Sequence, residues 1–189
     1  MNKTIRLPFD FDAQLLKEEL KTFEHAWELR ITPNAKEGTY WIIDLMVPDL
    51  AAERVDGGLP FKWNPILDKC PYFMKVLESF SCRFQRVIIR KLDAGHGFTA
   101  HTDYMYYERG EARIHIPIIT DDLYEFYFNE ERAIMSAGEC WYLDTQLKHW
   151  GINNSQHDRI HLTMDCDVDE WLEDIFVNLG FPSLTSLST

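Results

Sequence analysis

His101-Thr102-Asp103 sets an imidazole and a carboxylate two residues apart. On an extended segment both point to one side and can grip a single ion. A histidine-x-aspartate tripeptide is common, so its weight depends on a third ligand. His149 is the candidate, because it follows a strand expected over Glu139 to Leu143 and an Asp144-Thr145 turn. Two histidines and one carboxylate on one face of an ion leave three positions open, an arrangement suited to non-haem Fe(II) with a chelating co-substrate and O2. The same three residues would also serve a zinc hydrolase with an activated water.

A second set of residues asks for an anion in the same place. Ala112 to Ile119 alternates Arg113 and His115 with Ile114, Ile116 and Ile118. Asp158 to Cys166 alternates Arg159, His161, Thr163 and Asp165 with Ile160, Leu162, Met164 and Cys166. An amphipathic strand normally turns its polar face to water. Exposed faces carry Lys, Glu and Thr more often than paired Arg and His, and helices need an aliphatic sheet face to cover. With the aliphatic faces covered, the charged faces look into a barrel, where each charge must meet a ligand or a partner. Arg159, ten residues after His149, is then placed to fork a carboxylate. A surface ion pair with Asp158 is its plainer alternative.

The elements that must position these residues follow from periodicity. A helix is expected from Asp12 to Ala26 with Leu15, Leu16, Leu20 and Phe23 on one face, and another from Pro65 to Phe80, capped by Asn64, with Phe73, Val76 and Leu77 inward. Thr39 to Met46 reads as a strand. From Arg83 the period changes to two, with strands expected at Arg83 to Leu92, Phe98 to Asp103, Ala112 to Ile119, Tyr124 to Phe128, Glu139 to Leu143 and Asp158 to Cys166. Asp167 to Asn178 reads as a closing helix with Trp171, Leu172 and Phe176 inside. The expected fold is mainly β with flanking helices: a double-stranded β-helix, a jelly-roll, cupin-like barrel with N-terminal helices packed on one sheet. One domain is expected over 1–189, with a helical part over about 1–80, a jelly-roll core over about 81–166 and a C-terminal helix over about 167–178.

Composition narrows the partners. The 189 residues are 46% hydrophobic and 26% charged, enough for one core. A net charge of −12 argues against nucleic acid and anionic lipid. The start, Met1 to Pro8, has no apolar signal core, and no run approaches the roughly 18 apolar residues of a spanning helix, so a cytoplasmic location is expected. Cys70, Cys82, Cys140 and Cys166 are scattered without a C-x-x-C pair and read as reduced, buried thiols. Oligomeric state is left open.

From about Arg83 to Cys166 the chain resembles the aspartyl/asparaginyl β-hydroxylase family of Fe(II)/2-oxoglutarate oxygenases, most like its bacterial free-amino-acid (proline) hydroxylase branch. The resemblance rests on His101-Thr102-Asp103, Arg113-Ile114-His115, Gly138 to Asp144, His149 and Arg159-Ile160-His161, taken as an ordered set. It implies that His101, Asp103 and His149 hold Fe(II), and that Arg159 pairs with the distal carboxylate of 2-oxoglutarate. Arg113 and His115 would bind the metal-proximal carboxylate. The implied reaction hydroxylates an amino acid, an amino-acid derivative or a peptide side chain, using O2 and releasing succinate and CO2.

Two departures from the family pattern matter. The animal β-hydroxylases have glycine where this chain has Asp103, so their peptide substrate does not transfer, and the carboxylate also argues against a halogenase. Arg90 stands where those enzymes use a serine against the co-substrate, and it could instead bind a substrate carboxylate. His161 has no assigned role. Tyr104, Tyr106 and Tyr107 are open between a substrate lid and packing. A non-catalytic cupin-type protein binding a small molecule or metal is the alternative from another class.

Overall fold

The computed structural model describes residues 4–30, 40–53 and 60–187. Strand β1 (Thr4–Asp10) is followed by helix α1 (Ala13–Glu19), β2 (Glu28–Arg30), β3 (Tyr40–Asp44), β4 (Met46–Pro48), β5 (Phe61–Trp63) and helix α2 (Pro71–Glu78). The barrel strands are β6 (Phe84–Leu92), β7 (Gly97–His101), β8 (Glu111–Ile119), β9 (Tyr124–Phe128), β10 (Glu131–Arg132), β11 (Glu139–Leu143), β12 (His149–Asn153) and β13 (Arg159–Asp167). Helices α3 (Glu170–Asn178) and α4 (Leu184–Leu187) follow. A seven-stranded sheet in the order β1-β11-β8-β13-β6-β3-β2 faces a four-stranded sheet in the order β10-β9-β12-β7, the expected double-stranded β-helix.

The strand pattern sorts side chains as anticipated. Ile114, Ile116, Ile118, Ile160, Leu162, Met164 and Cys166 join Leu16, Leu20, Phe23, Phe73, Val76, Leu77, Leu172 and Phe176 in one large core between the seven-stranded sheet and the helices. The opposite face of that sheet meets the smaller sheet over a second apolar cluster built from Leu92, Tyr124, Phe126, Phe128, Met135 and Leu143. The four cysteines are free and buried.

The helices are shorter than periodicity predicts, for local reasons. Asp12 caps α1 by accepting from the backbone N–H groups of Gln14 at 2.9 Å and Leu15 at 3.1 Å, and after Glu19 the chain tightens into a 3-10 turn over Leu20–Phe23. Leu16, Leu20 and Phe23 are buried, but Leu15, expected beside them, is 41% exposed. It lies about 100° around the helix from Leu16, off the buried stripe. The second helix is broken at Cys70. A residue before proline is driven out of the α region, and Cys70 has φ −127° and ψ 66°, which leaves a 3-10 turn over Pro65–Lys69, capped by Asn64, and then α2. The Glu19 carboxylate accepts from the N–H groups of Tyr72 and Phe73 at 2.8 and 2.9 Å, tying α1 to the start of α2.

Besides the two helices and the strand expected before residue 81, that stretch supplies two further strands to the large sheet, β1 and β2, which join β3 there. Within β1, Ile5, Leu7 and Phe9 alternate toward the core, and Pro8 is tolerated because β1 is an edge strand. Thr39, placed at the start of a strand by the sequence, lies outside the described residues. The structure also adds β12, which begins at His149 and pairs with both β7 and β9.

Candidate active site

His101 ends β7 and His149 begins β12, and the two are direct cross-strand partners with ring centroids 4.4 Å apart. Asp103 follows two residues later, its N–H donating to the Thr145 carbonyl oxygen at 2.7 Å. The Thr145 hydroxyl in turn donates to the Met105 carbonyl oxygen at 2.7 Å, so the chain after β7 and the turn before β12 are stapled together. One ligand atom from each of His101, Asp103 and His149 lies within 4.8 Å of the others. The fold thus brings His149, far away in the chain, beside the His101 and Asp103 side chains.

Both imidazoles are oriented for coordination. Nδ1 of His101 is 2.8 Å from the Thr99 carbonyl oxygen, and Nδ1 of His149 is 2.8 Å from that of Leu147. A carbonyl only accepts, so each ring carries its proton on Nδ1 and leaves the Nε2 lone pair free. Burial drives the His149 pKa down to about 4, against the upward pull of the Leu147 carbonyl, so at neutral pH the ring is uncharged. Two imidazole nitrogens and one carboxylate suit a borderline divalent ion such as Fe(II).

Arg113 links this triad to the sheet. Its Nε and Nη2 donate to Asp165 Oδ1 and Oδ2 at 2.6 and 3.0 Å, and its Nη1 donates to Asp103 Oδ2. Burial opposes the charge on Arg113, but the Asp165 and Asp103 carboxylates outweigh it and raise the pKa above the usual arginine value.

Arg159 has no such partner. The residue is 6% exposed, and its guanidinium lies 4.3 Å from the Tyr124 ring centroid and 5.6 Å from that of Phe126. One Nη donates to His161 Nδ1, while Nε is buried with no partner among the described residues. Asp158, the sequence alternative for a surface pair, bonds Lys91 instead. Among the described residues no carboxylate reaches Arg159, and burial lowers its pKa to about 10, still a cation at neutral pH. Arg90 is similar, donating to the Tyr40 hydroxyl, with a buried unpartnered Nε and a pKa pushed down to about 9, first by burial and then by Arg113. Buried cations lacking an anion are costly, which fits a pocket shaped for anionic ligands.

One cavity of about 240 Å³ gathers these groups. His101, Asp103, His149, Arg159, Arg113, His115 and Arg90 all line it, with Tyr40, Phe98, Phe126 and Thr145 among the others. His115 is held neutral, mainly by burial and then by Arg159, Arg90 and Arg113, and its Nδ1 is left without a partner. His161 is fully buried and stands behind Arg159 rather than in the lining. Of the three tyrosines weighed as a lid, Tyr107 is core and bonds the Pro182 carbonyl oxygen, Tyr104 is 76% exposed, and none lines the cavity.

Sequence reasoning gave no role to Tyr40, Tyr124, Phe126 or Asp165. Asp165 alone had a readable signal, since it shares strand parity with Arg159 and His161.

A family model described as aspartyl/asparaginyl β-hydroxylase matches residues 14–168. Among solved structures, the chain is similar to a prolyl-4-hydroxylase of Pseudomonas putida (TM-score 0.57, 9% identity, 88% of this chain and 93% of that one). It is also similar to an oxidoreductase of the 2OG-Fe(II) oxygenase family from Burkholderia pseudomallei (TM-score 0.55, 15% identity, 87% and 85% covered). A third likeness is to HygX from Streptomyces hygroscopicus, solved with nickel and 2-oxoglutarate (TM-score 0.53, 10% identity, 87% and 82% covered). At these identities the solved structures share the fold. No helix among the described residues is long and apolar enough to cross a membrane.

Proposed function

The chain belongs to the aspartyl/asparaginyl β-hydroxylase family, and from that premise we propose that it is an Fe(II)- and 2-oxoglutarate-dependent dioxygenase hydroxylating an amino acid, an amino-acid derivative or a peptide side chain, of the kind found in the bacterial free-amino-acid branch. The observation that carries this reading is Arg159, a buried guanidinium with no carboxylate partner among the described residues, which lines the same cavity as His101, Asp103 and His149. A zinc hydrolase or a plain metal-binding cupin gives that cation nothing to do.

In this reading His101, Asp103 and His149 hold Fe(II), and Arg159 forks the distal carboxylate of 2-oxoglutarate. The Tyr124 and Phe126 rings hold the Arg159 plane, and His161 accepts one of its N–H groups. His115 and the spare N–H groups of Arg113 meet the metal-proximal carboxylate. When bound, Fe(II) and 2-oxoglutarate supply the oxidising power that places one atom of O2 in a substrate C–H bond and the other in succinate, with CO2 lost. Phe98, Phe126 and Leu92 give the same pocket apolar lining, which disfavours water beside the reacting groups.

Arg90 points to the substrate. Three guanidiniums, of Arg90, Arg113 and Arg159, face two carboxylates, of Asp103 and Asp165. A divalent metal and a doubly charged co-substrate cancel each other and leave one positive charge. A substrate carboxylate bonded by Arg90, with Tyr40 beside it, closes that balance.

The test is incubation of the protein with Fe(II), 2-oxoglutarate and O2, reading succinate, followed by a mass-spectrometric search for oxygen-addition products over amino acids and short peptides. Succinate above the metal-free control is expected. Its absence across the whole panel, with metal bound, would favour the cupin-type binder.

A further inference from the structure

Asp103 stands beyond the end of β7, where its N–H bonds the Thr145 carbonyl oxygen, which holds the main chain but does not itself set the side-chain torsions. What orients the carboxylate is a chain of ion pairs. Asp165 is the direct cross-strand partner of Arg113, and it takes two guanidinium N–H groups at 2.6 and 3.0 Å, which fixes the guanidinium plane. The third arm of that plane donates to Oδ2 of Asp103, while Oδ1 is the oxygen turned toward His101 Nε2, 4.0 Å away.

We propose that Asp165 is a positioning residue for the metal ligand Asp103, acting through Arg113. The inference rests on the iron-site reading above. Arg113 engages Oδ2, which favours Asp103 offering the metal Oδ1 rather than both oxygens. A coordination position is thereby kept free for co-substrate or O2. Asp165 also sets the charge of the site. Paired with Arg113 alone, Asp103 would be neutralised; with Asp165 sharing the guanidinium, the three side chains carry one net negative charge toward the metal.

The test is the affinity of the full chain for Mn(II) alone, a redox-inert probe of the site, read by calorimetry with circular dichroism to follow the fold. Asp165→Asn is expected to weaken Mn(II) by about 10- to 100-fold, the range for a residue that orients a ligand. In an Arg113→Met background the same change should alter affinity by less than about threefold, because the path from Asp165 to Asp103 is already cut. Equal losses in both backgrounds, or no loss in the single variant, would overturn the proposal. Should Asp165→Asn fail to fold, Arg113→Lys provides the second arm. It keeps the charge but cannot hold the Asp165 fork and the Asp103 bond together, so about a 10-fold loss is expected, and unchanged affinity would overturn the proposal. Wild-type protein that takes up no Mn(II) would remove the iron site and this inference together, whereas tight wild-type binding with insensitive variants removes this inference alone.

Discussion

His149 faces His101 across the β7–β12 pair, and each ring donates from Nδ1 to the carbonyl oxygen two residues before it. The shared pattern leaves both Nε2 lone pairs available on the Asp103 side. His149→Ala removes one of the two while leaving the Phe128 face it stacks on. At Mn(II) concentrations of about 100 times its Kd the wild-type fold should gain about 2.7 kcal/mol of stability by mass action. The variant should gain almost nothing and should form succinate only at background. Chemical denaturation with and without Mn(II) checks this, and equal stabilisation would take His149 out of the site.

Arg159→Met should separate binding from folding. Loss of a buried charge pair to the distal carboxylate is expected to weaken 2-oxoglutarate by about 2 to 5 kcal/mol. Without co-substrate the same variant should be more stable by about 1 kcal/mol, since it replaces a buried cation that has no carboxylate partner among the described residues with an apolar side chain. Co-substrate titration and denaturation of the ligand-free protein read the two effects, and an unchanged 2-oxoglutarate affinity would overturn the assigned role.

Arg90→Gln addresses substrate. Removing one charge-assisted bond of about 1.5 to 3 kcal/mol should raise the substrate KM about 10- to 100-fold. The KM for 2-oxoglutarate, measured by succinate release, should change less than about threefold. A rise confined to 2-oxoglutarate would move Arg90 to the co-substrate instead.

Stability should fall on the acid side. His115, His149 and His161 all have pKa values below the ordinary 6.5, chiefly from burial, with His149 at about 4. Between pH 6.5 and 4 the unfolded chain therefore binds more protons at these positions than the folded one, and linkage requires unfolding free energy to drop as pH falls through that window. Urea titrations of the ligand-free protein should show the decline, and His149→Asn should lessen its slope. A profile flat from pH 7 to 4.5 would contradict the buried, neutral state of these rings.

Much of the barrel could be read from the chain because a strand fixes side-chain direction by parity. Arg113 and His115, or Arg159, His161 and Asp165, must share a face once their segments are extended, and the isoleucines between them must share the other. The helices were less legible, since their ends depend on local events. The Cys70-Pro71 step breaks one, and the tightening after Glu19 puts only Leu16, Leu20 and Phe23 inward. The edge strand β1 was hidden by Pro8, although Ile5, Leu7 and Phe9 alternate.

For the site, the sequence by itself determined the candidate ligand types and the presence of arginines on an inward face. It could not determine which of those arginines is free. Arg113 meets Asp165 and Arg159 meets Leu92 only because of how β13 is registered against β8 and β6. Register is set by packing across the whole sheet, not by the order of residues within one strand. Tertiary structure thus decided that Arg113 is committed to Asp103 and Asp165, that Arg159 and Arg90 have no carboxylate partner among the described residues, and that His101, Asp103 and His149 come close together. Coulomb interactions depend on distance in space, and distances between strands exist only once the sheets have formed.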